Sequence, residues 1–321
     1  MKDGHEPKPL LSVVVELQTA SLTRERTAAA NLHEIVAQVR RLPPPGGEVL
    51  LVSSEEWEER PSGVRPIVAR GLSYYALKNV GAQNASGDVI VFLDADCRIG
   101  SEYFDAIVQY FASDASHQCV GGRTRYAGAS ALSRVNTALS FGYLWYRPAR
   151  DGYALLAHNV AVRRKTMPAP PFGSFQGRVR GDAYLTDHYR KHGEGLHIEP
   201  RMLVEHEDCS FSPPLIMERH LREHLKHISS TDELGIATTA GKAALRSALR
   251  SMIHRWHKLR IYGDAVDIGR TGFLLASFLL PLYWVLDLVA VFITLACSGL
   301  GRRWIAYQNG ISLGSPPAVS E

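Results

Sequence analysis

The run Val89-Ile90-Val91-Phe92-Leu93 constrains this chain more than any other feature. Five consecutive apolar residues without polar alternation suit a strand covered on both faces, the condition of a parallel sheet lying between helices. Comparable runs precede it at residues 10–16 and 48–52, and residues 64–68 are a plausible further strand. Between the first two, Leu32, Ile35, Val36 and Val39 recur at helical spacing, and the PPPGG stretch at 43–47 breaks the chain. Residues 73–85 read as a second helix, stopped by Ser86-Gly87. Ser101 is placed to cap a third, whose Tyr103, Ile107 and Phe111 share one face. This alternation predicts an α/β fold with a mainly parallel, Rossmann-like sheet sandwiched by helices and ligands at the carboxyl ends of its strands.

Composition supports a packed protein. Of 321 residues, 45% are hydrophobic and 21% charged, which excludes disorder, collagen-like repeats and coiled coil. The length suggests about two domains. Thirty-six Lys and Arg against 32 Asp and Glu leave +4, too weak an excess to argue for nucleic acid. Four scattered cysteines with no C-x-x-C spacing read as reduced thiols. The N-terminus is too polar for a secretory signal, which implies a cytoplasmic location for the N-terminal bulk.

The last third differs. Residues 242–260 hold six Lys or Arg, two His and no acid, with Leu245, Leu249, Ile253 and Trp256 on one helical face. Such a basic amphipathic helix suits an anionic lipid surface. Residues 271–301 then contain one charge, Asp287, and exceed the roughly 20 residues a membrane span needs. Pro281 leaves a kinked span or a re-entrant segment open, and a buried core helix is the plainer alternative. The positive-inside rule puts the preceding residues on the cytoplasmic side of the cell membrane. The expected divisions are 8–212, a catalytic domain; 213–268, a basic interfacial region; 271–301, a membrane segment; and 302–321, a polar tail.

Chemistry enters at Asp94-Ala95-Asp96, directly after the buried strand. Two carboxylates at alternate positions on a strand end can share a site, one meeting a sugar or ribose and the other a divalent cation. Hard oxygen ligands suit Mg²⁺ or Mn²⁺. A plain acidic turn before a helix is the competing reading.

Several segments in order resemble the family 2 glycosyltransferases of GT-A fold. They are the opening strand Leu11–Val15, the helix with Ala76-Leu77-Lys78-Asn79-Val80-Gly81, the stretch Ala85-Ser86-Gly87 leading into Phe92-Leu93-Asp94-Ala95-Asp96, and Gly181-Asp182-Ala183-Tyr184-Leu185-Thr186. Arg190-Lys191-His192-Gly193 and Val204-Glu205-His206-Glu207 are similar to the last segments of the family pattern. The resemblance covers about residues 10–210. It implies an inverting enzyme that moves a sugar from a nucleotide-diphosphate donor to a hydroxyl acceptor. By the same resemblance Asp182 is the catalytic base, Asp96 and His206 hold the metal, and Glu16, Ser54, Lys78, Asn79, Asp94 and Asp96 form the donor side. His158 and Asn159 line the acceptor side, with a structural polar pair as the alternative. The membrane segment adds a lipid-linked or envelope acceptor and membrane lipid as partners.

The chain also departs from the pattern. Glu16-Leu17-Gln18-Thr19 replaces the usual P-x-Y-N, and Ser53-Ser54-Glu55 stands where an aspartate normally meets uracil, which weakens the family's usual UDP-sugar assignment. Gly181 replaces the first acid of the usual Glu-Asp pair. Residues 168–180 read as a flap over the sugar or as a connecting loop. Arg219, His220, Arg222, His224 and His227 read as a phosphate-binding or merely charged helical face, and Phe141, Tyr143, Trp145 and Tyr146 as a stacking or packing run. A nucleotidyltransferase is a weaker reading because residues 16–26 contain no glycine for a phosphate loop. A non-catalytic nucleotide-binding scaffold on the membrane is the alternative from another class.

Overall fold

A computed structural model of the chain describes residues 11–17, 22–58, 60–126, 130–140, 154–174, 181–206, 253, 255–257, 259–260 and 268–296. The chain divides into two compact units, Met1–Tyr126 with Tyr146–Glu207, and Ala127–Trp145 with Asp208–Glu321. The aromatic run at 141–146, the Arg/His group at 219–227 and residues 175–180 of the flap lie outside the described residues.

In the first unit the four expected strands become β1 (Leu11–Glu16), β2 (Gly47–Ser53), β3 (Val64–Val68) and β4 (Val89–Asp94), all parallel neighbours. Every residue of β1 and β4 is buried. Alternate side chains explain it. Val13 and Val15 face a core shared with α1 (Leu22–Arg41) and α3 (Tyr103–Ser113), while Val14 faces one shared with α2 (Tyr74–Asn84) and α5 (Gly181–Lys191). The stripe Leu32, Ile35, Val36 and Val39 on α1 is buried as its spacing predicts. Ser101 does not cap α3. The cap position is Glu102 and makes no side-chain cap bond. A backbone turn replaces the cap, with Tyr103 N–H donating to Gly100 carbonyl at 3.3 Å and Gly100 N–H to Leu203 carbonyl at 2.9 Å.

The full sheet has eight strands in the order β3-β2-β1-β4-β7-β6-β8-β5, adding β5 (Cys97–Ile99), β6 (Cys119–Tyr126), β7 (Asn159–Arg163) and β8 (His197–His206). It is parallel through β4 and mixed beyond, because β7 runs antiparallel to both β4 and β6, and β5 antiparallel to β8. Although β5 forms the far edge, it starts three residues after β4 ends. The sheet therefore turns back on itself, and the turn falls where β6 and β8 slip register, from Gly122↔Glu199 to Arg123↔Leu203. Gly122 permits the bend, since a Cβ there would lie 2.2 Å from Met202 carbonyl. Strand directions then bring the ends of β1, β4, β6 and β8 and the starts of β5 and β7 to one edge.

The second unit packs α4 (Ala131–Ser140), described residues of 253–260 and α6 (Gly269–Ala296) around Val135, Ala138, Leu139, Leu259, Leu280 and Tyr283. Tyr283 hydroxyl bonds Asn136 inside this core. α6 continues through Pro281, and Gly269–Leu286, at mean hydropathy 1.3, is long and apolar enough to cross a membrane. Leu274, Phe278, Leu282, Val285, Val289 and Phe292 form one exposed apolar stripe along it.

Candidate active site

Asp94 is the last residue of β4, and the turn after it is held from two sides. Ala95 N–H donates to Glu16 carbonyl at 2.9 Å, and the buried Asn31 amide of α1 donates to Ala95 carbonyl at 3.0 Å. Asp96 and Cys97 follow in fixed places. Cys97 begins β5 directly opposite His206, the last residue of β8, so both side chains project from the same face of the pleat. One donor atom from each of Asp94, Asp96, Cys97 and His206 lies within 4.8 Å of the others. His206 Nε2 is 3.5 Å from an Asp96 oxygen and 3.9 Å from Asp94. The His206 ring stacks on Tyr126 at 4.8 Å and meets His158 edge-on at 5.5 Å.

Charge at this edge is set by burial and by α2. Burial raises the Asp94 pKa, but the Lys78 ammonium and the nearby His206 imidazole hold it well below the usual carboxylate range. Lys78 is itself fully buried, with Nζ 2.6 Å from Asp94 Oδ1 and 2.8 Å from Leu93 carbonyl. Tyr74 hydroxyl also donates to Asp94, at 2.9 Å to Oδ1. Burial and the neighbouring Asp96 and Asp94 push the Cys97 thiol well up. Cysteine sulfur is a soft ligand, so the donors suited to a hard divalent cation are two carboxylates and an imidazole, a set that fits Mg²⁺ or Mn²⁺.

Asp182 sits in the first turn of α5. Its Oδ1 accepts Ala157 N–H at 2.6 Å and its Oδ2 accepts Tyr75 hydroxyl at 3.0 Å. Burial raises its pKa above the ordinary carboxylate value, while these two hydrogen bonds oppose the rise. A carboxylate so placed is a stronger base than an exposed one.

The remaining sequence candidates divide by what their side chains touch. Glu16 ends β1 and Ser54 follows the last residue of β2, on the same sheet edge as Asp94. Lys78 is engaged by Asp94. Asn79 clamps the loop before residue 175, donating to Gly173 carbonyl at 2.9 Å and accepting Phe172 N–H at 3.0 Å. Asn159 is fully buried, its amide nitrogen donating to Arg123 carbonyl at 2.9 Å and its oxygen accepting Tyr103 hydroxyl at 2.9 Å. His158 is half-buried, with Nε2 3.1 Å from Thr124 hydroxyl. Sequence reasoning passed over Tyr74, Tyr75, Cys97 and Tyr126. Cys97 adjoins Asp96 in the chain, and two tyrosines opening α2 just before Lys78 were a visible signal.

Residues 26–167 match the family model Glycosyl transferase family 2. The matched residues, just under half of the chain, are similar to a family 2 glycosyltransferase domain. Among solved structures the glycosyltransferase fold is shared with the mannosyltransferase PcManGT from Pyrobaculum calidifontis in complex with GDP-Man and Mn²⁺, with TM-score 0.53, 12% identity, and 91% of this chain and 88% of that one covered. GalNAc-T7 with UDP, GalNAc and Mn²⁺ aligns at TM-score 0.47 and 16% identity over 64% of this chain, which spans 45% of that protein. The glucosyl-3-phosphoglycerate synthase of Mycobacterium tuberculosis aligns at TM-score 0.43 and 16% identity, covering 62% of this chain and 72% of that one. None of the curated proteins compared with it matches.

Proposed function

We propose that this glycosyltransferase domain moves a sugar, with inversion, from a nucleotide-diphosphate donor to a hydroxyl acceptor. The observation that carries this reading is the meeting of Asp94, Asp96 and His206 at one sheet edge. A divalent cation bound there would supply positive charge to the leaving diphosphate. Asp96 and His206 would hold it. Asp94, fixed by Lys78 and Tyr74, faces the ribose or the sugar. Glu16 and Ser54 border the nucleotide, whereas Lys78 and Asn79 act through Asp94 and through the loop at 172–173. Asp182 takes the acceptor proton as the hydroxyl oxygen bonds to the anomeric carbon. The bond from that carbon to the diphosphate oxygen breaks on the opposite face, and its electrons leave with the diphosphate. His158, whose ring meets His206 at 5.5 Å, serves the acceptor in this reading, and Asn159 supports it by bonding the same Thr124 hydroxyl, at 3.3 Å.

The test is nucleoside-diphosphate release by the full chain with Mn²⁺ or Mg²⁺ and a panel of UDP- and GDP-sugars. Release is expected to require the metal and to disappear in Asp96→Asn. A folded wild type that neither releases diphosphate nor gains thermal stability from any nucleotide and metal would favour the scaffold reading instead.

The acceptor side of the proposal rests on the second unit. The exposed stripe on α6 and the basic stretch at 242–260 suit an anionic bilayer facing the cytoplasm, so the acceptor is lipid-linked or an envelope component. The full chain is expected to float with vesicles containing phosphatidylglycerol, and the pair Phe278→Glu and Phe292→Glu to float several-fold less. Equal flotation of the pair and the wild type would remove the bilayer from this reading.

A further inference from the structure

We propose that Tyr75 is the positioning residue of the acceptor-side base, and that Gly181 is glycine so that the Tyr75 ring can reach Asp182. This rests on Asp182 being the base.

Three observations meet at Tyr75. First, its hydroxyl donates to Asp182 Oδ2 at 3.0 Å while Ala157 N–H holds Oδ1 at 2.6 Å. Both oxygens have a donor, so the carboxylate plane cannot swing about its side-chain torsion without breaking one bond. Secondly, the ring has no freedom of its own. It stacks on Phe172 at 5.4 Å and 29°, and meets Tyr74 edge-on at 4.9 Å. Phe172 is in turn fixed by Asn79, which accepts its N–H. Thirdly, a Cβ built on Gly181 would lie 2.5 Å from two carbons of the Tyr75 ring. Any side chain at 181 therefore competes with the phenol for one volume, and the chain has taken the phenol.

The arrangement gives α2 a double task. Tyr74, one residue earlier, donates to Asp94, so neighbouring phenols on one helical turn serve the donor-side and acceptor-side carboxylates. The Tyr75 hydrogen bond also favours the ionised form of Asp182 against burial, which is the form that accepts a proton. Loss of that bond therefore makes the base both less aligned and less often charged.

Tyr75→Phe removes the hydroxyl and keeps the ring packing. On whichever nucleotide sugar the panel finds active, kcat is expected to fall about tenfold, the usual scale for a hydrogen bond to a charged group, with the donor KM unchanged. The acid limb of the kcat profile should move to higher pH. Independently of turnover, ¹³C NMR of labelled aspartate, with the Asp182 carboxyl assigned by its loss in Asp182→Asn, should show that carboxyl titrating at higher pH in Tyr75→Phe than in wild type. An unmoved carboxyl titration and an unmoved acid limb in a folded Tyr75→Phe protein would overturn the proposal. Wild-type turnover by Asp182→Asn would instead remove the base reading on which it rests.

Discussion

Asp182→Asn is expected to lower kcat by about 10²–10⁴, the range associated with a general base, while the protein stays folded and still binds its donor and metal. Folding should survive because an amide satisfies the same two neighbours. Its oxygen can accept Ala157 N–H, and its nitrogen can donate to Tyr75 hydroxyl once that hydroxyl turns from donor to acceptor. Stability should rise as well. The Asp182 pKa is raised in the folded protein, so its ionised form is disfavoured there relative to the unfolded chain. The penalty sets in as pH rises above the unfolded carboxylate value and reaches its full size above the folded one. The melting temperature of Asp182→Asn should therefore match or exceed that of wild type at neutral pH and lose any advantage in acid. The same shift places the acid limb of the wild-type rate profile above the ordinary aspartate range. Diphosphate release across pH, with parallel melts, checks both. Near-wild-type release would assign proton removal elsewhere.

The legible part of this molecule was the part written in local pattern. Largely apolar runs mark β1, β2 and β4, and the parallel pairing of these strands puts Glu16, Ser54 and Asp94 on one edge. Asp96 was legible with Asp94 as a carboxylate pair at a strand end, His206 and Asp182 came from resemblance to a family, and the fold brings Asp96 and His206 to 3.5 Å. Other features carried no local signal. β5 is three residues long, and β6 opens with two glycines among its first four positions. β5 lacks the length, and β6 the alternation, that marks a strand. The Tyr75 contact spans 107 residues of sequence and depends on a side chain that Gly181 lacks. Lys78 and Asn79 illustrate the opposite difficulty. Their place in a motif pointed toward a ligand, but burial gave each a protein partner, and only packing reveals which partner a long polar side chain finds.

Lys78→Met is expected to be the most destabilising single change at the site. The ammonium is fully buried, 2.6 Å from Asp94 and 4.9 Å above the Tyr74 ring. Methionine fills similar volume, so packing at α2 should hold, but Asp94 is left as a buried charge without its counter-ion. Removing one member of such a pair typically costs about 3–5 kcal/mol, or roughly 10 °C in melting temperature for a unit of this size. Asp94→Asn has the converse fault, leaving the ammonium unpaired. The double variant Lys78→Met with Asp94→Asn should be more stable than either single one, because it removes both charges together and Tyr74 can still bond the amide. The sign of the pH dependence is fixed by the same pair. Asp94 is held ionised in the wild type, so the pair's contribution is present above the unfolded carboxylate value and is lost as pH falls through the folded one. The deficit of Lys78→Met should be full at neutral pH and narrow in acid. Thermal melts of the four proteins at neutral and acidic pH decide it. Strictly additive losses would mean that the pair is not coupled. The loss of Lys78 would then reflect packing against Tyr74 alone.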